Sequence, residues 1–536
     1  MKKPDSFYIY PNATGLRNHN NIIQGVWVLY CLPLFAILKR GSIVCVIFIL
    51  NIALRFALIS QGPYNADCLL FADTVQKIVE SGQMHYLQGT GLPLTAVLGA
   101  IFHIVLKSIG INDAVFAVNL MSVVLSSCAI VFFYLFSRNL LGKQTALYSA
   151  ALFSIFPIFL AISTFGNSHP PTILFLLMSL YLISTYAKTK NYFYFILGSL
   201  CFGLTGAARL QDALPLFPAM VCYVGIISNE NTNDIIKWSQ LTKLSLTFLS
   251  ISVLVLALFY LPHFALQRSE LLSYQFNYQG GLLLKNFCYL DLDALTLSLK
   301  YIYRSFSPIG CLTSLFGFVL LLRKRSIYTP FLLLFSVIPF YFFGNIIFTL
   351  PRFFIITSIP LILFQGYALS FLKNQKNLLC FLSIPILAYS LYTMFTFITP
   401  SLMFRHHNSL LPNFYKWIAF KTEPNAVLID RDSSSFVKHY ARRIYMRPPA
   451  GLDQMKKDDL MAFKEQLDDH LNKGIPVYIT GTGLFGMREE FQFDEFINKH
   501  YHLEWIGKNY IEDWHMGELD QLIGSISLYR LTKKSP

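Results

Sequence analysis

The sequence predicts an α-helical polytopic membrane protein that ends in a small C-terminal α/β domain outside the membrane. Three observations carry this. Of 536 residues, 54% are hydrophobic and only 13% are charged, about half the charged share of an ordinary soluble domain. Apolar stretches near the roughly 17 to 25 residues that cross a bilayer recur along residues 41–400. Beyond residue 401 the chain returns to a mixed, charged composition with short β-rich runs.

The stretches fall near 41–60, 92–110, 114–136, 144–165, 171–187, 192–208, 213–228, 238–262, 306–322, 328–348, 351–372 and 378–398. With a weak further candidate at 24–36, they predict about 11 to 13 spans. The domain reading is a cytoplasmic N-terminal segment with an interfacial helix (1–40), a membrane domain (41–400) with external loops 61–91 and 263–305, and an external domain (401–536).

A net charge of +14 could suggest nucleic acid, but its distribution points to the bilayer. Residues 401–536 hold 18 basic and 18 acidic side chains, so the whole excess, 25 against 11, lies in residues 1–400. It gathers in short loops: "LKR" (38–40), "SRNLLGK" (137–143), "AKTK" (187–190), "RKR" (323–325) and "KNQK" (373–376). Lysine and arginine resist translocation, so such loops mark the cytoplasmic side. Counting back from "RKR" places "TLPR" (349–352), "ARLQD" (208–212), "GNSHPP" (166–171) and the C-terminal domain outside; counting forward from "LKR" places Asp67 outside as well. The two counts clash between 92 and 136: one apolar stretch there is re-entrant or fails to cross, or a further crossing lies hidden elsewhere. The nine cysteines lie mostly in apolar segments and none falls in 401–536, against a disulfide framework. No cleavable signal peptide is expected, because the first strong apolar stretch begins late and is long.

In the C-terminal domain "NAVLID" (425–430), "RIYMRPP" (443–449), "IPVYIT" (475–480) and "SISLYRL" (525–531) predict strands. Helices are expected near 433–443, 455–473 and 488–500. "GTGLFG" (481–486) has the spacing of a dinucleotide-binding loop, but lacks an acid ending the following strand and reads as a tight turn.

The search for a general base is short. Asp5, Glu230 and Asp234 fall on the cytoplasmic side. Asp73, Lys77 and Glu80 share one helical face and read as a self-paired, solvated stripe. Asp67 lies about 240° round the helix from Asp73, among Leu70 and Phe71 and without a local basic partner. Apolar surroundings of that kind favour a carboxylate that takes up a proton; the alternative is a helix N-cap. Arg209 and Arg352 lie at span edges on the outer side. A guanidinium there can grip a lipid phosphate through two parallel hydrogen bonds or merely reach for headgroups. His169 opens a span on the same side and could touch substrate, support the base or be a loop residue. Asp212 could be an ion-pair partner for Arg209. Arg268, Lys285, Asp291 and Asp293 lie in the second loop, where acceptor contact is one reading.

This arrangement resembles the GT-C membrane glycosyltransferases, in the branch of protein mannosyltransferases and the aminoarabinose transferase of lipid A. The likeness rests on an acid in the first external loop with "ESGQMHYLQGTGLPLTAVLGAIF" (80–102), then "SRNLLGKQTALYSAALFSIFPIFLAIS" (137–163), "GLTGAARLQDALPLFPA" (203–219) and "LPRFFIITSIPLILFQGYAL" (350–369). It implies Asp67 as the catalytic or metal-supporting acid, and Arg352 and Arg209 as contacts of the donor phosphate. There are departures. Cys68 follows Asp67 where protein mannosyltransferases have an acidic pair, "GLP" (91–93) replaces a Lys or His before Pro-Pro, and His169 stands where many relatives carry a second acid. No cofactor is firmly implied; a divalent metal remains an option, though a lone carboxylate is too few for a ligand set.

The expected activity is inverting transfer of a sugar from a polyprenyl-phosphate carrier to an acceptor hydroxyl on the outer face of a plasma (inner) membrane. Asp67 would be the base, and the acceptor would be a glycan, lipid or protein. The rival is a transporter or flippase for a lipid-linked or anionic substrate, for which inverted repeats and mid-membrane polar groups would be expected.

Overall fold

The computed structural model describes residues 42–64, 66–86, 92–229, 238–266, 292–344, 350–372, 376–430, 434–449, 457–485, 493–512 and 523–534. The N-terminal segment and most of the 263–305 loop, with Arg268, Lys285 and Asp291, lie outside them. The first four helices are α1 (Ser42–Ala57), α2 (Ala66–Ser81), α3 (Pro93–Ser108) and α4 (Ala114–Leu141). They are followed by α5 (Lys143–Ser154), α6 (Pro157–Ile162), α7 (His169–Thr189), α8 (Tyr192–Ala208), α9 (Leu210–Asn229) and α10 (Trp238–Leu266). After α11 (Leu292–Arg323) and α12 (Thr329–Gly344), a 3-10 turn (Pro351–Phe354) leads into α13 (Ile355–Phe371), α14 (Lys376–Thr393) and α15 (Thr399–His407). Among the described residues, seven helical runs are long and apolar enough to cross a membrane, and four shorter apolar helices accompany them.

Three sequence expectations change. The 144–165 stretch is two helices, α5 and α6, because Phe156 is extended (ψ 122°) ahead of Pro157, whose ring disfavours a helical preceding residue. The 263–305 loop is already helical from Leu292, and α11 bends at Ser307 (φ 66°), again just before a proline. The boundary drawn at residue 401 falls inside helix, since a π-turn (Met394–Ile398) joins α14 to α15 and the helical run continues to His407.

The two charge counts clash over the segment that holds α3, whose two ends have contacts that bear on it. At its start, the Thr95 hydroxyl donates to the Ala208 carbonyl at 3.1 Å. At its end, Leu106 packs with Ile59 and Ala117. Residue 59 is tied in turn to the 163–169 loop, because Ser60 N–H donates to Thr164 O at 2.9 Å, and His169 bonds Arg209 beside Ala208. Both ends of α3 therefore meet loops at one end of the bundle. If α3 lies along that end instead of crossing, the forward and backward counts agree.

Helix packing relies on small residues where main chains meet. A Cβ on Gly317 of α11 would stand 1.9 Å from the Phe364 carbonyl oxygen of α13, so the two helices touch backbone to backbone there, as membrane helices do at small residues. Gly317→Ala is expected to destabilise the bundle by at least about 1–3 kcal/mol, read as a fall in the melting temperature of the detergent-solubilised chain. An unchanged melting temperature would contradict this packing.

After α15, α16 (Leu410–Lys421) leads into a five-stranded mixed sheet in the order β2-β1-β3-β5-β4. Its elements are β1 (Val427–Ile429), β2 (Ile444–Met446), α17 (Lys457–Asn472), β3 (Val477–Thr480), α18 (Gly481–Phe485), α19 (Phe493–His500), β4 (Tyr501–Glu512) and β5 (Ile523–Lys533). β1 pairs parallel with β2 and β3, while β5 runs antiparallel to β3 and β4. Successive strand residues face opposite sides: Leu428 joins Leu411, Phe414 and Ile418 of α16, whereas Val427 and Ile429 pack with Phe463, Leu467 and Ile497 of α17 and α19. The middle glycine of "GTGLFG" is explained by packing. A Cβ on Gly483 would approach Ile429 O at 2.8 Å, and Thr480 and Thr482 donate to the buried Asp430 carboxylate at 2.7 and 2.8 Å.

Two carboxylates of this domain titrate low. Burial alone would raise Glu423, but the Tyr478 hydroxyl, its own N–H and the charges of Arg530 and Arg443 outweigh it. Asp468 is held low in the same way against its burial by Lys464, Tyr501 and Lys533. A depressed folded pKa contributes stability above the unfolded value of about 4, and this is lost as pH falls through the folded value. Tryptophan fluorescence of the full chain should therefore show the domain melting earlier as pH drops below about 4. A Glu423→Gln/Asp468→Asn variant should flatten that dependence; an equally steep profile would refute the assignment.

Candidate active site

Asp67 owes its place to the amphipathic α2. Cys68, Leu69, Phe71, Ala72 and Val75 are buried, whereas Asp67, Gln76, Lys77 and Glu80 face outward, the spacing of a helix with one apolar face. Phe71 and Val75 pack on Val118 and Met121 of α4, and Leu69 joins the apolar cluster of the sheet domain. The helix that carries Asp67 is thus held between bundle and sheet domain. Asp67 stands in its first turn, where the helix dipole favours an anion.

The apolar enclosure expected around Asp67 is absent. Its side chain is 62% exposed and has a basic partner that is remote in sequence: Arg352 Nη2 lies 3.6 Å from Asp67 Oδ2. The self-paired stripe also changes. Gln76 bonds Glu80 at 2.7 Å, while half-buried Asp73 faces His439 of the sheet domain as well as Lys77. Burial raises the Asp73 pKa, and those two charges oppose the rise.

Arg352 sits in the 3-10 turn that opens α13, a turn begun by Pro351. Next to it, the Phe353 ring lies between two cations, with the Arg352 guanidinium 5.9 Å and the Arg209 guanidinium 5.1 Å from its centroid. The His169 ring is 6.3 Å away. Arg209 occupies the extended residue between α8 and α9, and its Nη1 donates to the His169 ring at 2.8 Å. Asp212, one turn on, places its oxygens 3.6 Å from Arg209 Nε and 3.6 Å from His169 Nδ1. His169 opens α7, where Pro170 and Pro171 surrender N–H groups that a first turn leaves unbonded anyway. Asn167 Oδ1 accepts the His169 N–H at 2.9 Å.

The four residues singled out in sequence, Asp67, His169, Arg209 and Arg352, therefore form one chain of contacts with Phe353 at its centre. Asp212 is an ion-pair partner of Arg209. In sequence Phe353 is one apolar residue of "LPRFFIITSIPLILFQGYAL" (350–369), and its part as the link between the arginines depends on contacts that no spacing encodes. Asp293 stands in the first turn of α11. Among the described residues no three His, Cys, Asp or Glu side chains converge as a metal ligand set would, and Asp67 faces the Arg352 guanidinium.

The fold that carries these residues has counterparts among solved proteins. ArnT from Cupriavidus metallidurans, bound to undecaprenyl phosphate, superposes with a TM-score of 0.58 at 11% identity, over 92% of this chain and 98% of that one. The AglB oligosaccharyltransferase from Archaeoglobus fulgidus, in complex with an inhibitory peptide and a dolichol-phosphate, gives 0.53 at 13% identity over 91% and 74%. The same enzyme tethered to an acceptor peptide gives 0.53 at 12% over 92% and 74%. The chain thus has the GT-C fold of multi-pass membrane glycosyltransferases. Within that class, residues 93–263 match the dolichyl-phosphate-mannose-protein mannosyltransferase family, a segment holding His169, Arg209 and Asp212. No curated protein matches the sequence.

Proposed function

We propose that this protein transfers a sugar from a polyprenyl-phosphate carrier to an acceptor hydroxyl at the outer face of the membrane, with Asp67 as the base. The observation that carries the reading is the Asp67–Arg352 pair, 3.6 Å apart, joined through Phe353 to Arg209 and His169. Arg352 and Arg209 receive the donor phosphate, where negative charge grows as the glycosidic bond breaks. In the resting chain the Arg352 guanidinium faces the Asp67 carboxylate. A bound phosphate engages that guanidinium instead and leaves Asp67 to take the acceptor proton. Direct attack then inverts the anomeric centre. The basic loops at the opposite end of the spans support the outer face as the side of reaction.

The test is release of polyprenyl phosphate from a panel of labelled polyprenyl-phosphate sugars by the purified protein. Cleavage of at least one donor, dependent on an added acceptor, is expected. Movement of intact carrier lipid between leaflets without cleavage would favour the transporter reading instead.

A further inference from the structure

We propose that Asn119 is a positioning residue that sets the loop leading to Asp67 against the loop leading to His169. It lies near the start of α4 and is fully buried. Its Nδ2 donates to Ser60 O at 2.8 Å and, more weakly, to Gly62 O at 3.4 Å. Its Oδ1 accepts the Gly166 N–H at 2.7 Å. Residues 60 and 62 precede α2 and Asp67; residue 166 precedes α7 and His169. One planar amide therefore spans the roots of both arms of the site.

Further contacts brace the same junction. Ser60 N–H donates to Thr164 O at 2.9 Å, and the Tyr64 and Phe165 rings meet with centroids 4.6 Å apart. From the other side, Arg405 stacks on Tyr64 at 4.0 Å, and the His406 ring bonds Ile59 O at 2.7 Å. Asn119 is distinct because the two loops need a donor and an acceptor from a single side chain, and an amide supplies both. A polar group inside a membrane span is costly unless its partners are fixed. A carboxylate here would keep the Gly166 bond but turn an acceptor toward the Ser60 carbonyl; leucine would lose both bonds. A loop displaced by about 1 Å is enough to lower turnover about 100-fold, so the clamp acts on the chemical step and not on donor affinity. Its catalytic meaning rests on the assignment of Asp67 as base, whereas its structural meaning does not.

The experiment uses Asn119→Leu and Asn119→Asp in the full chain, with Ile130→Ala on the same helix as a control for general core damage. Two quantities are read per folded molecule: turnover of the unlabelled chain with its split into kcat and donor KM, and, in separately prepared chains, the distance distribution between non-natural spin-label side chains at Gln76, exposed on the helix that carries Asp67, and Ser168. Both Asn119 variants are expected to broaden that distribution and lower kcat at least about tenfold with donor KM within about threefold, while Ile130→Ala changes neither. If the distribution stays native in the Asn119 variants, the clamp is overturned whatever the enzyme does. If kcat also stays native while Asp67→Asn is inactive, the clamp falls and the base assignment stands. Should Asn119→Leu fail to fold, Asn119→Asp and Asn119→Ser give the same two readouts.

Discussion

Asp67→Asn is expected to lower sugar transfer about 10²- to 10⁴-fold, the usual weight of a positioned general base, with donor binding nearly unchanged. Asparagine has almost the same shape but cannot take a proton at neutral pH. The side chain is 62% exposed and stands at a helix start, so the substitution leaves the core intact, and a folding defect would not explain the loss. The measurement is acceptor-dependent release of polyprenyl phosphate, with donor affinity determined separately by binding of labelled carrier. Removing the carboxylate also removes the resting partner of Arg352, so donor binding should hold or tighten slightly. Transfer by Asp67→Asn at the rate of the unmodified chain would sink the assignment of Asp67 as base.

Asp212→Leu is expected to destabilise the protein by about 3–5 kcal/mol, because it strands a buried guanidinium. Asp212 is 1% exposed and Arg209 7%. The Asp212 oxygens have no hydrogen bond among the described residues, so their charge is met by the 3.6 Å approaches to Arg209 Nε and His169 Nδ1. Replacing both residues, as Arg209→Met/Asp212→Leu, should restore most of the stability, since neutral side chains can fill such a site without the cost of desolvating charge. The same double variant should still bind donor weakly, because the phosphate loses one cation. Thermal melting and donor binding on the three proteins separate the two roles. A stable Asp212→Leu would show that this carboxylate is not the partner on which Arg209 depends, and a double variant with normal donor affinity would remove Arg209 from the phosphate site.

Much of this architecture is written in one-dimensional patterns. Apolar stretches specify spans because a bilayer demands internally bonded backbone over a fixed thickness, and the strands around Val427, Tyr445, Val477 and Leu528 follow from β-rich runs flanked by turn residues. β4 was not anticipated: "YHLEWIGKNYIE" has no clean alternation, and a register shift between Trp505 and Gly507 breaks its period. The break within 144–165 needed the backbone preference of the residue before Pro157. Whether α3 crosses cannot be read from composition, because an apolar helix lying along the end of a bundle has the same composition as one that crosses.

The same division runs through the site. Sequence alone singled out the candidate residues, since few carboxylates and arginines occur at span edges and each is costly to keep there. It misjudged their surroundings. Asp67 seemed to lack a basic partner because Arg352 is remote along the chain, and Asn119 drew no notice because a lone asparagine in an apolar helix has no signature. Only tertiary structure decided that Arg352, Phe353, Arg209 and His169 form one line of contacts and that one buried amide ties the loops beneath them. Local pattern encodes burial and helicity; which remote groups meet depends on how the helices pack.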